Sequence, residues 1–227
     1  MVKYKIISNT GISLQILRSS PCYLAISIAN PYTQRGEHSN ILKWVSENFD
    51  SCEIIIGDYL YRINEFITFG RNSKDAEEKS QLLGKLIEQQ LQYDIKQCER
   101  QIFRITHWAE LLKDEFGFRT SLAKLKRFEK SNSLFHDSLK NISTSYVLKQ
   151  REKGLLYIDV EEYQAIEMSM EYLLEELAVF ECLAESGNKT HIYPGTILPT
   201  LKQIVNGKYP DMSTEMNKIT LIELKSK

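Results

Sequence analysis

The sequence predicts an α/β fold, a mostly parallel sheet with helices on both faces, and three observations lead to it. Tyr23–Ile28 and Cys52–Asp58 are apolar runs of strand length, the kind expected of strands buried on both faces. His38–Phe49 places Ile41, Leu42, Trp44, Val45 and Phe49 mostly along one face, as a helix packed on a sheet does. Strand and helix signals then alternate to the end of the chain, and such alternation folds through crossover connections into parallel pairing. With 227 residues, 42% of them apolar and 26% charged, the chain can bury one sizeable α/β domain or two small ones.

Val2–Ile7 alternates apolar and charged residues like a half-buried edge strand, and Asn9-Thr10-Gly11 turns it. Leu14–Leu17 is a weak strand candidate. After the two buried strands, Gly70-Arg71-Asn72-Ser73 leads into the longest helical stretch, Lys74 to about Arg100, with Ser73 as the N-cap candidate and no proline inside. Gln101–Thr106 reads as a strand and Trp108–Leu112 as a short helix. Ser121–Phe128 and Ser133–Lys149 read as helices, and Asp159 to about Cys182 as a long one. In that helix Tyr163, Ile166, Met170, Leu173, Leu174, Leu177 and Phe180 form the stripe expected to be buried. His191–Tyr193 is a short strand stopped by Pro194-Gly195, Leu198–Val205 a helix, and Lys218–Leu224 a closing strand.

The formal net charge of −1 gives no overall attraction to nucleic acid or to an anionic membrane. The charge is unevenly placed, however. Lys113–Lys153 holds ten Lys/Arg against five Asp/Glu, whereas Tyr157–Glu185 holds nine Asp/Glu and no Lys or Arg. Four cysteines, Cys22, Cys52, Cys98 and Cys182, lie far apart without a CxxC pair or a Cys/His cluster, which argues against a zinc site and a disulfide framework. Neither a signal-peptide core nor a membrane span is present in the pattern, so a reduced, cytoplasmic protein is the expectation. GxxxxGK[ST] and GxGxxG are both missing, and with them any support for nucleotide use.

Two places can carry chemistry. Ser27 falls at the carboxyl end of the first buried strand, where ligands bind in open α/β sheets, with Asn30 and Tyr32 close by. No Gly-x-Ser-x-Gly elbow surrounds it, and none of His38, His107, His136 and His191 is assignable as its base, so a Ser-His-Asp hydrolase fits poorly. Tyr172 and Glu176, four residues apart, share one face of the long helix at the edge of its apolar stripe. A carboxyl so placed is partly desolvated, which lifts its pKa towards the range useful for proton transfer.

Ala25-Ile-Ser27-Ile-Ala-Asn30-Pro-Tyr32 is similar to the Gly-Ile-Ser-x-x-Asn-x-Tyr segment of the cyclodipeptide synthases. The resemblance continues through Ile41-Leu-Lys-Trp44 and Asn48-Phe49, the strand ending in Asp58, and Gly70-Arg71 before a long helix. It is strongest at Tyr172-x-x-x-Glu176, Ala178-Val-Phe180 and Tyr193, and it extends from about residue 20 to 224. Pro194 after Tyr193 resembles the branch of the family marked by Tyr-Pro. Ala25 replaces a common glycine.

The resemblance implies a single catalytic domain, residues 1–227, of Rossmann-like fold similar to that of class I tyrosyl- and tryptophanyl-tRNA synthetases. It implies a monomeric aminoacyltransferase that joins two aminoacyl groups from two aminoacyl-tRNAs into a 2,5-diketopiperazine, without ATP, metal or other cofactor. Ser27 would take the first aminoacyl group, in a ping-pong sequence. Tyr172 and Glu176 would hold its ammonium group, and Glu176 would serve as acid/base. Tyr193 would position Ser27 and the intermediate, and Asn30 would hydrogen-bond near the substrate amine. Tyr23, Ala25, Ile55, Gly57, Val179, Phe180 and His191 would form the first side-chain pocket, suited to a small residue such as alanine, with a polar or acidic partner such as glutamate. Phosphate contacts would come from Lys85, Lys96 and Arg100 on the long helix and from Lys124, Lys126, Arg127 and Lys130. Two other readings remain at this point: a non-catalytic aminoacyl-tRNA-binding protein of synthetase-like fold, and a serine ester hydrolase acting as a deacylase.

Overall fold

A computed structural model describes residues 3–7, 14–17, 20–34, 37–70, 72–113, 117–157, 159–187 and 190–225. The Asn9-Thr10-Gly11 turn and Arg71 lie outside the described residues. Six strands form one sheet: β1 (Lys3–Ile7), β2 (Cys22–Ile26), β3 (Cys52–Ile56), β4 (Phe103–His107), β5 (Thr190–Pro194) and β6 (Thr220–Lys225). Their order is β1-β6-β5-β2-β3-β4; only the β1–β6 pair is antiparallel. The chain runs outwards from β2 through β3 to β4 and then returns to the other side of β2 with β5. That reversal makes the carboxyl ends of β2 and β5 a topological switch point.

Ten helices accompany the sheet among the described residues. They are α1 (Leu14–Leu17), α2 (Pro31–Gln34), α3 (His38–Asn48), α4 (Arg62–Phe69), α5 (Ser73–Ile95), α6 (Trp108–Leu111), α7 (Phe118–Ser131), α8 (Ser133–Glu152), α9 (Glu162–Glu185) and α10 (Pro199–Val205). The pleat divides the core between the two faces of the sheet. Leu24, Ile26, Ile54, Ile56 and Ile222 pack with Ile41, Leu42 and Val45 of α3 and Leu91 of α5 on one face. Tyr23, Ile55 and Leu221 pack on the other with α7, α9 and α10, whose contributions include Leu125, Leu177, Phe180 and Leu201. The alternation of strands and helices therefore led to the right layers and the right strand direction.

Some local expectations differ from the structure. Leu14–Leu17 is a helical turn, because four residues with a polar second position satisfy either period. Asn72, not Ser73, caps α5: its Oδ1 accepts from the Asp75 amide at 3.0 Å. That helix stops at Ile95 rather than near Arg100. Tyr163 is 61% exposed rather than buried, because it stands in the first turn of α9, while Ala165 and Ser169 take the inward positions there. Arg62–Phe69 is a helix that the apolar pattern left unassigned, ended by Gly70 in the left-handed region at φ 61°.

One close approach fixes the sheet's outer half. Asp58, just past β3, accepts from the amides of Tyr59 at 2.8 Å and Trp108 at 3.1 Å and bonds His107 Nδ1 at 2.7 Å. The other imidazole nitrogen reaches Glu88 of α5 at 3.1 Å, so α5, β3 and β4 are tied at one node. α5 comes near enough only because residue 84 is glycine: a Cβ there would stand 2.5 Å from the Asp58 Cβ. Gly84→Ala should therefore cost about 1–3 kcal/mol through overpacking, read as a lower urea midpoint at unchanged slope. An unchanged midpoint would show that α5 can lift off the node freely.

Candidate functional site

β2 runs into the loop that carries Ser27, and the Asn30 amide returns to the Ser27 carbonyl at 3.1 Å, closing a tight turn. In parallel register Ala25 lies beside Ile55, and the Gly57 amide donates to the Ile26 carbonyl at 2.9 Å. The first turns past β2 and β3 are thereby locked side by side. Tyr193 arrives on β5, the other neighbour of β2. α9 crosses above and brings Tyr172 and Glu176 down one face onto the same point.

These elements enclose an inner cavity walled by Ala25, Ser27, Ile55, Gly57, Leu60, Trp108, Tyr172, Glu176, Phe180 and Tyr193. Its free volume is about 10 Å³, room for about one water molecule. A second, open cleft of about 440 Å³ lies on the other side of Ser27 and Tyr193, bordered by Asn30, Tyr32, Thr196 and Lys225 among others. Ser27 and Tyr193 thus belong to both walls. Of the expected first-pocket residues, Ala25, Ile55, Gly57 and Phe180 line the inner cavity. Tyr23 and His191 lie on the same sheet face, the first stacked with Phe180 at a ring distance of 5.9 Å and the second tilted against it at 4.6 Å. Val179 is fully buried in the core and off the wall. Trp108 and Leu60 are wall residues that the sequence did not single out; both follow strand ends, and only the register of β3 and β4 reveals their direction.

Glu176 is half-buried at the cavity wall, and burial pushes its pKa up to about 7. Burial also raises the Tyr172 phenol well above its usual value, reinforced by the nearby Glu176 and Tyr193 and opposed by a hydrogen bond with Ser27. Tyr193 is raised by burial and by Glu176, while hydrogen bonds from Asn30 and Ser27 hold it back. Burial brings His191 down to about 3, so its ring is neutral. The Ser27 hydroxyl therefore stands between two phenols, with one carboxyl nearby and no imidazole acting as its base.

Asn30 borders the cleft beside Tyr193 and also holds the loop together. Its Nδ2 donates to the Pro194 carbonyl at 2.6 Å and its Oδ1 accepts from the Tyr32 amide at 2.9 Å. Both ends of the carboxamide brace the Ser27 loop against β5. The basic residues are likewise divided. Arg100 donates to the carbonyls of Ser46 and Phe49 and pairs with Asp50 at 2.8 Å, closing the end of α3. Lys124 pairs with the buried Glu181 and Lys126 with Glu171, both at 2.6 Å. Lys85, Lys96, Arg127 and Lys130 stay exposed, but α5 and α7 pack on opposite faces of the sheet, so the two groups do not form one patch. Among the described residues no His, Cys, Asp and Glu side chains gather as a metal site would need, and no helix is long and apolar enough to cross a membrane.

A Rossmann-like sheet with a serine at its switch point, under a helix carrying a raised carboxyl, belongs architecturally with the catalytic domains of class I tRNA synthetases. Comparison makes the assignment narrower. The sequence model of the cyclodipeptide synthase family matches residues 9–184, and the chain belongs to that family of enzymes. Solved structures agree in fold. A cyclodipeptide synthase from Fluoribacter dumoffii superposes with a TM-score of 0.78 at 18% identity, covering 99% of this chain and 97% of its own. The synthase from Candidatus Glomeribacter gigasporarum, bound to Phe-tRNAPhe, gives 0.68 at 20% identity, covering 92% and 89%. A Mycobacterium tuberculosis protein, whose structure relates cyclodipeptide synthetases to type I tRNA synthetases, gives 0.68 at 14% identity, covering 97% and 91%. No curated protein sequence matches the chain significantly.

The raised carboxyl has a consequence for stability. Between about pH 4.5 and 7 the folded protein keeps a proton on Glu176 that the unfolded chain has already released, so stability falls as pH rises through this window. The full effect is at most about 3 kcal/mol, lowered by water that reaches the carboxyl through the cavity. Glu176→Gln should remove this slope and leave the variant more stable than the parent at pH 8 but not at pH 5. Urea midpoints at the two pH values check it; parallel shifts at both would place the proton elsewhere.

Proposed function

We propose that the chain is a tRNA-dependent cyclodipeptide synthase of the Tyr-Pro branch, working as one monomeric cytoplasmic domain with Ser27 as its nucleophile. The observation that carries this reading is that Ser27 and Tyr193 border a small inner cavity and an open cleft at once, beneath a carboxyl whose pKa burial raises to about 7. The Glomeribacter relative captured with an aminoacyl-tRNA supports the choice of substrate class.

In the first half-reaction the Ser27 oxygen attacks the ester carbonyl of one aminoacyl-tRNA. The bond from that carbonyl to the ribose oxygen breaks, and the serine proton passes to the departing ribose hydroxyl. An aminoacyl ester is already activated, so positioning by the Tyr172 and Tyr193 phenols suffices without a strong base. The group rests in the inner cavity with its ammonium against Tyr172 and the Glu176 carboxylate. In the second half-reaction an aminoacyl-tRNA seated in the open cleft brings its amine to the acyl-Ser27 carbonyl. Glu176 takes the amine proton as the peptide bond forms, and that proton passes on to the Ser27 oxygen as the serine ester breaks. The free amine of the resulting dipeptidyl-tRNA then attacks its own ester carbonyl, closing the six-membered ring and releasing the tRNA. Asn30 holds the Ser27 loop at the edge of the cleft, within reach of the substrate amine, and Arg127 and Lys130 are exposed cations of α7 placed to meet phosphate.

Ser27→Ala should abolish diketopiperazine release by a producing bacterial host, read by mass spectrometry of the medium. Release of free amino acid in place of a cyclic product would mark a deacylase. Because Glu176 must be ionised to accept the amine proton, turnover should rise with pH through about 7, and the rising limb should vanish in Glu176→Gln. Reversing Arg127 and Lys130 together should weaken aminoacyl-tRNA binding and flatten the slope of log affinity against log salt by about 1.4–1.8. An unaltered slope would remove α7 from the interface.

A further inference from the structure

Two walls of the inner cavity are tied together by one arginine. One wall carries Leu60, in the tight turn Tyr59–Tyr61; the other is α9, with Tyr172, Glu176 and Phe180. Arg62 opens α4 directly after that turn. Its Nη1 donates to the Tyr59 carbonyl at 3.0 Å and to Glu175 Oε2 at 3.1 Å, and its Nη2 donates to Glu175 Oε1 at 2.7 Å. The guanidinium also lies over the Tyr59 ring, 4.1 Å from its centroid. Only 23% of the arginine side chain and 14% of the glutamate side chain remain exposed. Neither residue lines the inner cavity or the open cleft, so the pair acts on the site only through what it holds.

What it holds is the rotation of α9. Glu175 precedes Glu176 and follows Tyr172 by three positions, so fixing the direction of its carboxyl fixes the direction of both. The apolar packing around the helix is not directional, whereas two parallel N–H···O bonds to a carboxylate admit one orientation. A carboxyl stands about 6 Å from the helix axis, so a turn of about 10° displaces it by about 1 Å. A displacement of that size costs a reacting group about a hundredfold in rate. Elsewhere on α9, Arg151–Glu162 and Lys126–Glu171 are open to water, and Lys124–Glu181 lies more than one turn beyond the site. A lysine at position 62 matches the charge but not the fork. An ion pair shielded from water adds little net stability, because desolvation offsets much of its attraction, so orientation is what this one contributes.

We propose that Arg62 and Glu175 are positioning residues of the synthase, their fork setting the rotation of α9 that aims Tyr172 and Glu176 at Ser27. The inference rests on the proposed role of Glu176 as the group that accepts the amine proton. The same fork holds the turn carrying Leu60 to α9, so it also keeps these two walls at their spacing. Without the fork α9 is free to turn, and it turns in the direction that hydrates the Glu176 carboxylate, because burial is what disfavours that charge.

The test compares the parent with Arg62→Lys, which keeps the charge, with Glu175→Gln, which keeps the shape, and with the double variant. Each breaks the fork on its own, so either single variant carries the comparison if the other fails to fold. Diketopiperazine formation is followed with tRNAs charged with the amino acids found in the product that a producing host releases. In each single variant kcat should fall about 10- to 100-fold with KM within about twofold of the parent, and the double variant should be no slower than the singles. The rising limb of the pH profile, at about 7 in the parent, should move to lower pH in Arg62→Lys. A merely structural role would lower the urea midpoint and scale kcat with the folded fraction while the limb stays in place, which would overturn the assignment. Parental turnover in both singles, or a raised KM at unchanged kcat, would overturn it as well. Glu176→Gln separates the two levels. Parental turnover and pH profile in that variant would bring down the role of Glu176 and the inference with it, whereas its inactivity beside a fully active Arg62→Lys would sink the inference alone.

Discussion

The structure depends on how α9 is held over the sheet. From Leu173 to Ala184 the helix is enclosed almost all round, by the sheet beneath and by α4, α7 and α8 beside and above it. An interior position of that kind tolerates a carboxyl only where a partner or a cavity relieves it: Lys124 does so for Glu181, and the cavity for Glu176. The same packing that stabilises the domain therefore prepares the group that is to move a proton. Register does the rest: parallel pairing of β2 with both β3 and β5 leaves Ser27, Gly57 and Tyr193 at neighbouring strand ends.

The uneven charge of the sequence acquires a second meaning in this frame. The basic excess of α7 and the acidic excess of α9 lie on adjacent helices, and part of each is satisfied by the other. Lys124 holds the buried Glu181, whose carboxylate also accepts from the Thr214 hydroxyl and, at 3.4 Å, from the Met216 amide. That network fastens the segment leading into β6 to the last turns of α9. Lys126 and Glu171, half-exposed, contribute much less to stability. A charge run read as a surface for polyanions is thus in part an interface between helices, and Arg127 and Lys130 are among the cations it leaves exposed.

Layers, strand direction and the position of Ser27 at a strand end were legible because they follow from periodicity. The pairing of Tyr172 with Glu176 followed from helical spacing alone. What could not be read was anything set by neighbours distant in the chain. Asn30 stands near Ser27 in sequence, but its bond to the Pro194 carbonyl, 164 residues away, could not be read there. Arg100 reads as the end of a long basic-edged helix, but it closes α3, because carbonyls left over at that helix end lie next to it. Trp108 gave no sign of its role, since its direction depends on Asp58 gripping its amide from across the sheet.

The division of the site into a closed and an open cavity bears on the order of events in the proposed reaction. A group entering the small inner cavity must shed its water, and there every contact with the floor is made in a dry environment where an unpaired polar atom is costly. The open cleft, bordered by Lys225 and Thr196, keeps its solvent and can pass a longer substrate without such strict matching. Selection is then stringent for the donor and looser for the acceptor. Ser27 is the one nucleophile that faces both cavities, so the acyl group itself becomes the partition between them. Once it is attached, the inner cavity is filled, and a second aminoacyl-tRNA can approach only from the cleft. In the proposed two-step order the inner walls must part to admit the acyl group, because the space beneath Ser27 holds about one water molecule.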